Sequence, residues 1–379
     1  MKKGNGNALM LVDAKKFIGT ILLIVTFVSL YLLDRNRGDA SNLIILNSIL
    51  SIFTLVSLIL IPQAYSSILK YRITNSDLTL VGIAIFAFIC TLIFRQYINV
   101  HWVYLIVFLI IINLEGRSLN RNILQFLIFL SFLSIVYQLA TSDSIGRRTL
   151  TYIDPNYSSL VIYFLGVLCF KLNKKTLSIS LFSLGLLTLS RNYILAVTIF
   201  FVVNYLVKND RVHRLICFFY RPTIIIILIT FLPLIVNYWF VSVASLTDVV
   251  SNTADTKLSG SLIDNSNLHR SLANIKFIDD MFLNPFKYII GYDSKLYIEQ
   301  VFMNTPHHAI FQMILNYGYL FSFGYLILFF KTCYIFCQKS KLNCSFYAGL
   351  MSYFMILGGG INGMFIYMVA FVMIDYNEG

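Results

Sequence analysis

Apolar runs recur along the chain from residue 17 to residue 374, separated by short polar stretches, with no soluble-looking block between them. A bilayer core about 30 Å thick needs about 20 apolar residues in a helix, and segments of about 17 to 25 are tolerated. Convincing runs occupy 17–33, 43–61, 78–94, 123–140, 223–241 and 307–330, and shorter ones lie at 102–114, 157–170, 176–190, 193–207, 345–357 and 361–374. The pattern predicts an all-α, polytopic membrane protein of about 12 transmembrane helices, within a range of about 10–12. Gly358, Gly359 and Gly360 join the last two runs, either as a tight turn between two spans or as a break in one long helix.

One connection stands apart. Residues 242–306 are far longer than the other loops and carry polar stretches at Ser251–Asp255 and Leu262–Asn267. Within them Leu268, Leu272, Ile275, Ile278 and Phe282 recur at helical spacing, with Arg270, Asn274 and Lys276 off that stripe, and Pro285 ends the pattern. This predicts an amphipathic helix lying in the membrane interface or against the bundle. The whole chain, 1–379, reads as a single transmembrane domain with this loop inside it. No internal repeat accompanies it, so a transporter built from inverted repeats lacks its usual sequence signature.

Composition agrees with the pattern. The chain is 58% hydrophobic and 12% charged, against roughly 25% charged residues in soluble domains. The net charge of +12 sits largely in short loops, where Lys and Arg set topology. With the N-terminus inside, the inner loops hold 18 of the 29 basic residues, from Lys2, Lys3, Lys15 and Lys16 through to Lys331, Lys339 and Lys341. The alternation persists along all the segments and predicts both termini inside, with the 242–306 loop outside. No basic face alternates with exposed aromatics, so no nucleic-acid partner is expected. The first run continues into Asp34-Arg35-Asn36-Arg37 rather than a small-residue cleavage site, and reads as an uncleaved span. None of the six cysteines falls in the outer loop, so no disulfide framework is implied. Cys333 and Cys337 share a helix face but have no His or carboxylate near them in sequence, and neither metal nor cofactor is expected.

Four polar clusters fall on the predicted outer side. Arg147-Arg148 precede Asp154-Pro155-Asn156, where a proline suits the first turn of a helix; a capped helix start with a charge pair accounts for these residues equally well. Ser190-Arg191-Asn192 interrupts the apolar stretch 176–207, each half of which spans only about 21–23 Å at about 1.5 Å per residue. Arg191 is therefore expected inside the bundle below the headgroups. An arginine there costs roughly 2.5–3.5 kcal/mol on insertion scales and calls for an anionic partner, either Asp154 or a ligand phosphate. His269-Arg270 open the loop helix, and Thr305-Pro306-His307-His308 open a long span. Neutral imidazole is suited to proton transfer near pH 7, and several arginines with few balancing carboxylates suit a phosphate or pyrophosphate.

These motifs, in this order, resemble those of the bacterial O-antigen polymerase and O-antigen ligase family. The resemblance runs over about residues 120–330. It rests on an arginine before Asp154-Pro155-Asn156, on Ser190-Arg191, on Arg270 in a large outer loop, on Asn284-Pro285 and Gly291, and on His307 followed by Phe311, Ile314 and Gly318. His308 stands where the family has Asn, and Asn192 where Gly is common, so the base is either His307 or His308, with the spacing to Gly318 favouring His307. The resemblance implies metal-independent transfer of a glycan from undecaprenyl pyrophosphate to a sugar hydroxyl, at the outer face of the bacterial inner membrane. His307 would be the base, and Arg191 and Arg270, helped by Arg147 or Arg148, would hold the pyrophosphate. Asp154, Asn156, Ser190 and His269 are candidate supporting residues. The implied partners are the lipid-linked oligosaccharide, membrane lipid and a chain-length regulator. Tyr152, Tyr157, Tyr292 and Tyr297 are candidate platforms for sugar rings, although aromatic residues commonly anchor spans at the interface. A ligase would use the same chemistry on another acceptor. A lipid-linked oligosaccharide flippase is the alternative of another class, and would need charged residues at mid-depth that the inner halves of the spans largely lack.

Overall fold

In a computed structural model, the described residues are 119–141, 155–251, 265–356, 365–374 and 376, with scattered positions between 17 and 111. Among them 86% are helical and none lies in a strand, which makes the fold all-α. Among the described residues three helices are long and apolar enough to cross a membrane: Arg121–Thr141, the Pro222–Trp239 portion of a longer helix, and Ala309–Lys339. The runs at 17–33, 78–94 and 102–114 are described only at scattered positions, all of them helical. The run at 43–61 and the glycines 358–360 lie outside the described residues.

Helix α1 is Arg121–Thr141, α2 Pro155–Lys171, α3 Lys175–Leu186 and α4 Arg191–Leu206. The Asn120 side chain caps α1 by accepting from the backbone N–H groups of Asn122 (3.1 Å) and Ile123 (3.3 Å). Helix α2 is apolar all round and almost wholly buried, as a helix without a polar face must be. The 176–207 stretch is two helices, as its length requires, and Leu189 takes a left-handed φ of 48° at the reversal between them. Such a backbone costs of order 1–3 kcal/mol for a residue other than glycine, and the Thr188 hydroxyl, donating to the Gly185 carbonyl at 2.7 Å, helps hold the turn.

Helix α5, Asp210–Phe219, lies where only a basic loop was expected. Its start is capped by Asn209, whose side chain accepts from the Arg211 N–H at 2.9 Å. Helix α6, Pro222–Ser251, overruns the expected end of its span by ten residues, so the long connection begins at 252 rather than 242. The predicted amphipathic helix is α7, Asn265–Leu283, and Pro285 ends it by opening a short 3₁₀ turn, Pro285–Tyr288. It packs on α6, where the Ser271 hydroxyl donates to Asn237 Oδ1 at 3.1 Å. A short helix α8, Ser294–Gln300, precedes α9, Ala309–Lys339, and then come α10, Lys341–Ile356, and α11, Phe365–Met373.

Aromatic side chains fill the core between α2, α4 and α10. Tyr163 stacks on Phe346 at 5.9 Å and meets Phe200 edge-on at 6.2 Å, while its hydroxyl donates to the Phe346 carbonyl at 2.9 Å. Buried Lys171, at the end of α2, donates to Asn343 Oδ1 (2.9 Å) and to the carbonyls of Val372 (2.8 Å) and Met373 (3.2 Å). It thereby satisfies carbonyls that the end of α11 leaves without helical partners. A residue expected only to set topology is also an internal fastener.

Candidate functional site

The site is best built from a missing hydrogen. Pro233 sits inside α6, and a proline has no N–H to give the carbonyl four residues earlier. That carbonyl belongs to Ile229, and the His308 imidazole reaches it from the start of α9, with Nε2 at 2.9 Å. A carbonyl only accepts, so Nε2 carries the proton and Nδ1 does not. Nδ1 is buried and has no hydrogen-bond partner among the described residues. The ring is wholly buried and lies against Phe311, at 4.4 Å between centroids. Burial pushes its pKa down to about 4, so His308 is neutral at physiological pH and engaged in structure.

His307 differs in each respect. Its side chain is exposed, while its backbone N–H donates to Asn274 Oδ1 at 2.9 Å. The same oxygen accepts from the His308 N–H at 3.2 Å. Asn274 is buried on α7, and Arg270, four residues earlier, lies on the same face of that helix. Partial desolvation by the surrounding protein, and then the Arg270 charge, lower the His307 pKa below its ordinary 6.5. Of the two candidate bases, His307 is therefore the one with an accessible, neutral ring. Asn274, which the sequence pattern placed off the apolar stripe together with Arg270, holds the His307 backbone.

Gly291 and Gly318 carry the outer segment onto α9. Both have left-handed backbones, at φ 85° and 83°, a region that favours glycine. A Cβ on Gly291 would lie 2.7 Å from the Asn316 carbonyl oxygen, and one on Gly318 would meet the backbone of Ile289 and Gly291. The Tyr292 N–H donates to the Leu315 carbonyl at 2.5 Å, and the Ser294 hydroxyl to Asn316 Oδ1 at 2.7 Å. Gly318 breaks the helical backbone of α9, ten residues beyond His308. The crossing thus holds residues 289–294 against the helix that begins at the histidines.

Asp280 anchors the turn between α7 and this crossing. Tyr288 donates its hydroxyl to Oδ2, which also pairs with Lys287 at 3.0 Å, and Asn284 Nδ2 donates to Oδ1 at 2.8 Å. Burial pushes the carboxyl up, but these bonds outweigh it and hold Asp280 below the usual carboxylate range.

A second group lies at the head of α4. The Ser190 hydroxyl donates to Asn156 Oδ1 at 3.0 Å, and both residues are buried, as is Asn192. Arg191 departs from expectation. It is the first residue of α4 and its side chain is exposed, so the buried polar groups here are the neutral Ser190, Asn156 and Asn192. The short helices α3 and α4 leave the arginine at an open corner, where it needs no buried counter-ion. Among the described residues neither Arg191 nor His307 forms a hydrogen bond or ion pair joining the two groups. Arg147, Arg148 and Asp154 lie outside the described residues, as does Tyr152. His269 is exposed and Arg270 half-buried. Of the candidate tyrosine platforms, burial withdraws Tyr297, while Tyr292 and Tyr157 are half-buried. Tyr297 is fully buried, Tyr292 is covered by the Lys287 ammonium at 4.1 Å, and Tyr157 stacks on Phe365 at 5.5 Å.

Fold and site together define an all-helical protein with membrane-length helices and a polar corner where α6, α7 and the head of α9 meet. No protein-family model, curated protein or solved structure matches the chain.

Proposed function

We propose that this protein is a glycosyltransferase of the O-antigen polymerase type, joining undecaprenyl-pyrophosphate-linked oligosaccharides into a surface polysaccharide. The observation that carries the proposal is an exposed His307 whose backbone is held by Asn274 on α7, with its pKa lowered by partial desolvation and by the charge of Arg270, one turn from Asn274 on the same helix. The acceptor sugar hydroxyl gives its proton to the His307 imidazole while its oxygen attacks the anomeric carbon of the donor. The bond from that carbon to the pyrophosphate oxygen breaks, and the lipid pyrophosphate leaves with the electron pair. Guanidinium groups of Arg270 and Arg191 meet the charge on the leaving group, a role their bidentate geometry suits. The reading carries with it the topology of about 12 spans in a bacterial inner membrane, with the N-terminus inside and the histidines outside. Exposed Phe282, Leu283 and Phe286 at the end of α7 suit a helix resting at a lipid interface.

The test uses a strain whose surface glycan depends on this protein. His307→Ala and Arg270→Ala are each expected to reduce long glycan ladders to single repeat units while the single-unit lipid-linked precursor accumulates. His308→Phe, which keeps His307, is expected to retain polymer in proportion to folded protein. Ladders of normal length in His307→Ala would eliminate the assigned base, and intact but unattached chains would indicate a ligase.

A further inference from the structure

Helix α5 brings to the cysteines of α9 and α10 the histidine that their sequence neighbourhood lacks. His213 and Cys217 are one turn apart on α5, and Cys344 lies in the first turn of α10. One ligand atom from each of the three residues falls within 4.8 Å of the others. His213 Nε2 is 3.5 Å from Cys217 Sγ, close to the separation of about 3.6 Å between nitrogen and sulfur ligands on a tetrahedral zinc ion. The same nitrogen is 3.0 Å from the Cys337 carbonyl oxygen, in the last turn of α9, where carbonyls lack helical partners and the helix dipole favours a cation. The Cys337 thiol itself turns away, toward the Asn343 carbonyl at 3.7 Å. Cys217 and Cys344 are buried and His213 half-buried. Beside the site Lys341 links α10 to the start of α5 by pairing with Asp210 at 2.6 Å and donating to the Lys208 carbonyl at 3.0 Å.

We propose that His213, Cys217 and Cys344 form a binding site for a thiophilic divalent cation of the zinc type, completed by the Cys337 carbonyl or a water. Binding releases one proton from each thiol, and the His213 proton that Nε2 donates to the Cys337 carbonyl passes through solvent to Nδ1, which frees Nε2 to coordinate. Two thiolates and a neutral imidazole cancel the charge of the ion, which suits a partly buried site. Soft thiolate ligands favour zinc over calcium or magnesium. The site lies away from His307 and Arg270, and takes no part in the transfer proposed above. On the positive-inside topology it faces the reducing compartment, where thiols stay available to metal.

Cobalt(II) titration of the purified full chain under reducing conditions supplies the test. A thiolate-to-cobalt charge-transfer band is expected to saturate at one ion per chain and to vanish on addition of zinc. Cys217→Ser, Cys344→Ser and His213→Ala are each expected to lose the band or weaken binding at least 10-fold, the lower end of the loss seen even for outer-shell changes. Cys333→Ser, a buried control, retains it. Absence of a band in the unaltered chain, or its survival in both Ser variants, overturns the proposal, as does a Cys217–Cys344 disulfide in protein isolated under non-reducing conditions. Because His213 is only half-buried, His213→Ala probes the site with little burden on folding. Unweakened cobalt binding in folded His213→Ala protein would also count against it.

Discussion

Two adjacent histidines have opposite fates because their rings meet different surroundings. His308 is enclosed and gives its Nε2 proton to Ile229, whereas His307 is open beside Arg270. Arg270 holds the His307 pKa down because a nearby positive charge disfavours the protonated ring. Free base persists above that lowered pKa and is lost as the pH falls through it. Removing the charge raises the pKa, so in Arg270→Gln the acidic limb of any residual activity is expected at higher pH than in the parent. A limb left in place, measured in membranes by polymer formation against pH, would separate Arg270 from the base. At His308 the expectation concerns stability. His308→Phe leaves the Ile229 carbonyl buried and unpaired, at a cost of about 1–3 kcal/mol. In a Pro233→Ala background the backbone N–H restored by that change can serve the same carbonyl, and His308→Phe is expected to cost clearly less. Thermal unfolding of the four proteins in detergent decides it, and equal costs in both backgrounds would refute the coupling.

At the scale of elements, much was legible from pattern alone. Continuous apolar runs located α1, α2, α3 and α4, and the stripe Leu268–Phe282 located α7, because burial of one face leaves a mark at helical spacing. Helix α5 was missed because its polar and basic residues, Asp210, Arg211 and Arg214, resemble a loop of the kind that sets topology. Asn274 was not singled out as a site residue, because the backbone it serves is more than thirty residues away. The carbonyl freed by Pro233 was implicit in the sequence, but its partner, His308, is separated from Ile229 by 79 positions. Gly291 and Gly318 were legible as motif residues, though their crossing was not. Gly318→Ala adds a Cβ against the Ile289 and Gly291 backbone at a left-handed φ, so a loss of at least about 2 kcal/mol is expected from strain and collision together. A melting temperature unchanged in that variant would show that the crossing contributes nothing.

Across the whole molecule, charge placement predicts which end of the bundle faces which compartment. Met303 and Lys174 are both exposed, and the positive-inside pattern assigns them to opposite sides. A cysteine introduced at Met303 is expected to react with a membrane-impermeant maleimide in intact cells, and one at Lys174 only after permeabilisation, both in a background lacking the native cysteines. Labelling of the two from the same side would reject the topology. The buried Lys171 belongs to this scale too, since it joins α2 to α10 and the end of α11 through three acceptors. A lysine expected only in a topology-setting loop thus has an assembly role of its own.

The bond between His308 and Ile229 also has a consequence for inheritance. Position 233 in α6 and position 308, just before α9, are linked through one carbonyl oxygen, which the proline leaves without an amide hydrogen and the imidazole serves, although nothing in the order of the chain connects them. In related proteins, a lineage that loses the proline no longer needs the imidazole, and one that keeps it must find another hydrogen for the same oxygen. The two positions are therefore expected to drift together, and a collection of relatives in which they vary independently would deny the link.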